Sequence, residues 1–358
     1  MQILFLTRSY YPSIGGVEKH IEKITEILIA KGHEVTIISE KTSKSYSNNY
    51  HFNRSSAKYV EKATNTKIIR IEVGGDNWFK KFRIWFQLIK YIKIINTSDI
   101  VHCHDVFFWY LPFRFIFPLK KVYTTFHGYE GNKIPNKRAI LMHKLSEKLS
   151  NGNICIGNLL TKWYGTKPTF VSYGAVDSKL LESNLEITKK NRDIIFAGRL
   201  EKETGILEYL EAIYLLKKRG IKLKLDIFGD GQLKDKAKEY TSKNRLDVIF
   251  KGFVPNVTDY IPFYKIIFVS RYLGILEALA LRVPVFAQYN NAIKKDYLYV
   301  SPFAKFISIG KNGEEIATEV EKYLKNELTI DTKGGYEWVK DKTWENMVNL
   351  YLKLWKTA

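Results

Sequence analysis

Short apolar runs that end on glycine or a small polar residue recur along the chain, separated by helix-period stretches, and this alternation limits the fold most. Ile3–Leu6 opens it. After a turn at Ser13-Ile14-Gly15-Gly16, Val17, Ile21, Ile24 and Leu28 recur at helical spacing, and Gly32 closes that helix. Glu34–Ser39, Lys67–Val73, Ile100–Cys103 and Val122–Phe126 read as further strands. A fresh alternation starts at Ile194–Ala197 and continues through Leu223–Phe228, Val248–Phe250, Ile266–Val269 and Val283–Ala287. Leu207, Leu210 and Ile213 mark a helix within it, stopped by Gly220. Strands this apolar, alternating with helices, call for parallel sheets covered on both faces. The fold class is α/β, built as two doubly wound units over 1–185 and 190–337. Between them lie a short strand at Phe170–Ser172, a turn at Gly174 and a Glu/Lys-rich linker. Residues 41–66 read as a long exposed loop. Trp338, Trp344, Leu350, Leu354 and Trp355 mark one or two closing amphipathic helices.

Composition narrows the setting. A chain of 358 residues can bury two cores, and it contains no uninterrupted apolar run long enough to span a bilayer. The first residues read as a strand rather than a signal peptide, and Cys103 and Cys155 sit in apolar segments, so a soluble, reduced cytoplasmic protein is expected. The net charge is +20, and residues 1–190 hold 29 Lys/Arg against 15 Asp/Glu. That excess suits anionic membranes or phosphorylated small molecules, or is simply a solvated basic surface; no nucleic-acid-binding signature accompanies it.

The residues with chemistry fall at strand ends, where parallel sheets bind ligands. In the second half these are Gly198-Arg199, Gly229-Asp230-Gly231, Gly252-Phe253-Val254 and Ser270 through Glu277. Small residues there admit close backbone approach, and Arg199 offers a forked cation for a diphosphate. Glu277, near the start of its helix, can accept hydrogen bonds from a ribose diol. In the first half, Gly15-Gly16 precedes a helix N-terminus suited to an anion, without the GxGxxG dinucleotide fingerprint. His127 follows a strand, and His102 and His104 share one strand face, lining an acceptor site or bonded within the domain. A metal site lacks further ligands at useful spacing.

Taken in order, Gly15-Gly16-Val17-Glu18, Asp99 to Asp105, Thr125-Phe126-His127-Gly128, Ala197-Gly198-Arg199-Leu200, Phe228-Gly229-Asp230-Gly231, Lys251-Gly252-Phe253-Val254 and Leu276 to Val285 resemble the retaining GT-B glycosyltransferases of family 4. The resemblance implies two Rossmann-like domains facing across a cleft, with the last helix, 338–358, crossing back to the N-terminal acceptor domain. It implies a UDP- or GDP-sugar donor, retention of configuration, and no required metal or other cofactor. Gly15, Gly16, Arg199 and the position of Thr204 would face the donor diphosphate, Phe253 and Val254 the base, and Glu277 the ribose. His127 would lie beside the transferred sugar at the reacting centre, and His104 in the acceptor cleft. Two departures stand out. Thr204 occupies a position where the family commonly has lysine, and Val269 stands eight before Glu277 where a second glutamate is usual. The Ser270–Gly274 loop is shortened, and Arg271 is a candidate substitute. A sugar-nucleotide epimerase and a non-catalytic nucleotide-sugar-binding protein therefore stay open beside transfer to a glycan or lipid-linked acceptor.

One further pattern bears on partners. Residues 78–93 mix aromatics and cations at helix-compatible spacing, and Phe107–Leu119 is dense in aromatics but interrupted by Pro112 and Pro118. Two core helices with a basic rim would explain them, as would peripheral association with an anionic membrane at its cytoplasmic face.

Overall fold

The computed structural model describes residues 1–11, 13, 15–41, 66–75, 77–128, 134–182 and 191–357. Nearly all of the expected loop at 41–66 and the core of the expected linker, 183–190, lie outside the described residues. Two compact units emerge. One takes the described residues up to Gly128, Pro135–Ser172 and the closing helix from Trp344; the other takes Tyr173–Thr343. The expected boundary near 185–190 thus lies downstream of the division at Ser172.

The first unit is built on a parallel sheet of β1 (Gln2–Thr7), β2 (Glu34–Glu40), β3 (Lys67–Ile71), β4 (Ile100–His104), β5 (Val122–Phe126), β6 (Gly152–Ile156) and β7 (Phe170–Ser172). Their order is β3-β2-β1-β4-β5-β6-β7. β6 was only an apolar stretch around Cys155 in the sequence, because Gly152 and Asn153 weaken its start. The glycine leaves room for the closing helix, since a Cβ would stand 2.9 Å from Leu354 Cδ1 and that side chain would have to shift. Leu4, Leu6, Val101, Cys103 and Val122 pack on one sheet face against Phe107, Tyr110 and Phe113. Both cysteines are free and buried.

Pro112, which interrupts this aromatic run in the sequence, lies inside a helix that runs from Phe107 to Ile116, as one of the two expected readings has it. A proline lacks the N–H that would bond the carbonyl four residues back, that of Phe108. That carbonyl accepts instead from the Trp85 indole at 3.1 Å. The helix survives because a neighbour fills the vacancy.

The second unit repeats the plan with β8 (Arg192–Ala197), β9 (Leu225–Phe228), β10 (Val248–Gly252), β11 (Tyr264–Phe268), β12 (Val285–Gln288) and β13 (Ser308–Gly310). The order is β10-β9-β8-β11-β12-β13, all parallel. Phe196, Ile227, Phe268 and Phe286 meet Tyr209, Leu210 and Ile213 in its core. In each sheet the winding direction reverses once, between β1 and β4 and between β8 and β11. The loops diverge there and leave room at the carboxyl edge for a ligand.

Candidate functional site

In the second unit, Arg199 stands at the reversal point, immediately beyond β8. The loop carrying it is tied down by main-chain bonds, Gly198 N–H to Phe228 O at 3.1 Å and Leu200 N–H to Asp230 O at 2.9 Å. Sequence reasoning assigned Gly229 and Gly231 to close ligand approach, but their immediate need is this loop. A Cβ on Gly229 would fall 1.8 Å from Gly198 O, and one on Gly231 2.6 Å from Leu200 O, with φ at +156° and +159°. Two glycines thus let the backbone of the Arg199 loop lie flat on its neighbour. The Arg199 side chain is exposed, and among the described residues its guanidinium has no hydrogen-bond or ion-pair partner. A fork held on a fixed loop and left unpaired is suited to two phosphate oxygens.

Thr204 is buried, and its hydroxyl donates to Arg199 O at 2.6 Å while lying 2.8 Å from Glu201 O. Ser270 Oγ in turn donates to Thr204 O at 3.0 Å, tying the end of β11 to the same turn. Thr204 is therefore a strut for the Arg199 turn, with its hydroxyl already engaged. Phe253 is exposed just beyond β10, and Val254 beside it is half-buried. Glu277 departs from its expected place near a helix start. Its helix spans Tyr272–Ala280 and Glu277 lies in the second turn, buried at 8% exposure. The shortened loop explains this, because the helix begins directly after Ser270-Arg271.

Sequence reasoning missed Lys294. It lies in the Ala292–Tyr299 helix after β12, fully buried, with Nζ donating to Glu203 O and to Gln288 Oε1 at 3.4 Å. In sequence it is one lysine of a Lys-Lys pair, and nothing there signals burial.

In the first unit, the carboxyl edge is occupied by histidines. His102 and His104 project from one face of β4, and both are buried. The Trp355 indole donates to His102 Nδ1 at 3.0 Å, so the proton of that ring is on Nε2, which donates to Thr125 Oγ1 at 2.8 Å. Thr125 Oγ1 and the Tyr351 hydroxyl share a hydrogen bond of 2.7 Å, and the Tyr351 hydroxyl shares another of 2.9 Å with His20 Nε2. Separately, His104 Nδ1 and His127 Nε2 share a hydrogen bond of 2.9 Å, and His104 Nε2 is buried without a partner among the described residues. His127 is half-buried against the ring of His20, and its main-chain N–H donates to Asp105 Oδ1 at 2.8 Å. Burial drives His20 down to about 3. Burial and the neighbouring histidines hold His104 and His127 well below the usual range. The cluster is neutral. Among the described residues no group of three His, Cys, Asp or Glu could hold a metal ion.

Gly15 is the N-cap of the Gly16–Ala30 helix, in extended backbone. The Glu18 carboxylate folds over it, 2.4 Å from where a Cβ would be, so this helix end already carries one negative group.

The comparisons bear directly on this arrangement. Residues 177–333 match the model of the glycosyl transferases group 1, and residues 14–158 that of glycosyltransferase family 4. No curated protein matches the chain by sequence. Among solved structures, a glycosyltransferase from Rickettsia africae ESF-5 aligns over 99% of this chain and 97% of its own, with TM-score 0.73 at 18% identity. Anabaena Alr3699/HepE in complex with UDP aligns over 100% of both chains, with TM-score 0.73 at 13% identity. The lipopolysaccharide outer core galactosyltransferase WaaB aligns over 99% of both, with TM-score 0.67 at 15% identity. The fold is that of the GT-B glycosyltransferases, two Rossmann-like sheets with a closing helix returned to the first. The chain belongs to the family 4 glycosyltransferases and is an enzyme of that transferase class.

Proposed function

We propose that the chain is a retaining glycosyltransferase that moves a hexose from a UDP- or GDP-sugar to a glycan or lipid-linked acceptor without a metal. The observation that carries this is Arg199, a rigidly mounted and unpartnered guanidinium at the reversal point of the second sheet. It binds the donor diphosphate and stabilises the negative charge that builds there as the sugar leaves. Phe253 and Val254 face the base, Glu277 the ribose, and Gly15-Gly16 the diphosphate through main-chain N–H groups. His127 is a neutral hydrogen-bond partner for the transferred sugar, since a ring held well below the usual range does not act as a cationic acid at neutral pH. The residues supply position and charge stabilisation, and the leaving phosphate accepts the acceptor's proton. A UDP complex in HepE favours UDP over GDP.

A panel of UDP- and GDP-sugars, with free nucleotide and isomerised sugar followed in the presence of candidate acceptors, tests the reading. Acceptor-dependent nucleotide release is the expected result. Isomerisation would assign an epimerase, and binding without turnover a non-catalytic relative.

A lipid-linked acceptor is favoured by one surface. Trp78 and Phe79, followed by Phe82, Phe86 and Ile89 of the Lys80–Ile89 helix, are exposed, as are Phe115 and Ile116 at the end of the Phe107–Ile116 helix and Leu119 beyond it. Neither helix is simply core. Lys81 lies in the Lys80–Ile89 helix and Lys90 directly follows it, and basic residues beside exposed aromatics suit the anionic headgroup boundary of a membrane. No helix among the described residues is long and apolar enough to cross one. Cosedimentation with phosphatidylglycerol vesicles at low salt is expected, and its absence would remove the membrane from the proposal.

A further inference from the structure

A lysine buried without an ion-pair partner is costly to protonate, and Lys294 is such a lysine. It is 0% exposed, yet among the described residues it makes no ion pair. Its ammonium reaches only two neutral oxygens, Glu203 O and Gln288 Oε1, leaving a third N–H without an acceptor among the described residues. The charged groups that act on it are Arg271, which opposes its protonation, and Glu208 and Glu203, which favour it. A methionine of similar volume would fill this slot without the desolvation cost of several kcal/mol that a buried ion carries. Retaining the charge calls for an anion to answer it.

The surroundings say where that anion binds. Glu203 belongs to the Lys202–Thr204 turn, and Thr204 is bonded to the carbonyl of Arg199. Asn290 Nδ2 adds a bond to Lys202 O at 3.0 Å, so the segment after β12 grips the turn at two carbonyls. A diphosphate diester carries two negative charges, whereas Arg199 supplies one positive charge, and Thr204 supplies none.

We propose that Lys294 is the second cation of the donor's diphosphate site, a positioning residue that holds the Arg199 turn and adds its buried charge to the field on the diphosphate. This rests on the donor reading above. Burial, reinforced by Arg271, lowers the lysine to about 7, so an anion bound close by draws a proton onto it. Donor binding is then linked to proton uptake, and affinity falls as pH rises above neutrality. The diester phosphates of a nucleotide sugar do not titrate near pH 7, so the proton cannot be theirs.

The test is calorimetric titration of UDP-glucose into the full chain at pH 7, in buffers of different ionisation enthalpy, repeated at pH 8.5. The expected result is net proton uptake and about a tenfold loss of affinity at pH 8.5. K294M should bind at least tenfold more weakly at pH 7, take up no proton and show no such pH dependence. Binding by the wild-type chain without proton uptake, or a folded K294M with unchanged affinity and uptake, overturns the proposal while leaving the donor reading intact. The wild-type measurement decides even if K294M fails to fold. If the wild-type chain binds neither UDP-glucose nor GDP-mannose, the donor reading falls and this proposal with it.

Discussion

The two sheets share one topology and one reversal of winding, yet their carboxyl edges carry opposite chemistry. At the first, four histidines and two aromatic residues of the closing helix form a neutral, mostly buried network, with His104 Nε2 left unbonded among the described residues. At the second, an exposed guanidinium stands above a turn gripped by a buried lysine. A reversal of winding favours ligand binding at both edges, and the residues just past the strand ends decide what each can hold. A neutral edge suits hydroxyl-rich sugars, and a cationic one suits phosphate. All seven histidines lie before residue 144, and none falls in Tyr173–Thr343, so the two units also answer pH by different groups.

The strongest way to break this contrast is to remove the closing helix's anchor. Trp355 is 3% exposed, donates to His102, and meets the rings of Phe5 and Tyr351. Trp355→Ala should cost about 3–5 kcal/mol in denaturant unfolding of the first unit. A loss below about 1 kcal/mol would mean that the neutral edge does not depend on that helix.

Next in size is Arg199→Ala. With no partner among the described residues, its removal should leave the melting temperature within about a degree. Donor affinity should fall roughly 100-fold, about 2.7 kcal/mol, as expected for a lost charge-assisted pair. Unchanged affinity in titration calorimetry would contradict the assignment of the cationic edge.

Acid should then separate the units. His20 is held down to about 3 against an ordinary 6.5, so the unfolded chain takes up a proton that the folded chain refuses. Stability from this histidine is fully present above pH 6.5 and erodes as pH falls from there toward 3, by about 1.4 kcal/mol per pH unit. At pH 5 that is roughly 2 kcal/mol for His20 alone, with His102, His104 and His127 adding in the same direction. Hydrogen exchange at pH 5 should show the first unit opening before the second. Simultaneous loss of protection in both would contradict the division.

Much of this was readable in advance, for identifiable reasons. Strand ends announce themselves, since Gly198, Gly229 and Gly252 interrupt apolar runs, and Arg199 stands beside one of them. β6 was faint because Gly152 yields to Leu354, a contact some two hundred residues away in sequence. The Pro112 helix was readable only as one alternative, because the donor that replaces the missing N–H is Trp85 on another helix. Lys294 was invisible because burial of a lysine is a tertiary fact. The histidine relay was legible only as separate residues. Its connections depend on Trp355 and Tyr351, which bond to β4 and β5 only once the closing helix has docked.

The smallest expected effect on stability tests the outside of the first unit, whose inner edge is neutral although residues 1–190 hold 29 Lys/Arg against 15 Asp/Glu. Phe86 is 69% exposed on the outer side of the Lys80–Ile89 helix. Phe86→Ser should therefore change unfolding free energy by less than about 0.5 kcal/mol, the range for exposed substitutions away from structural contacts. The same change removes one of the largest apolar side chains from the exposed aromatic patch, so binding to phosphatidylglycerol vesicles should weaken several-fold. Raising salt should weaken it further, because the nearby lysines act over no more than a Debye length. Equal vesicle binding by both proteins would confine the charge of this unit to solvation. A fall of several kcal/mol in stability would instead mean that Phe86 packs against the protein itself.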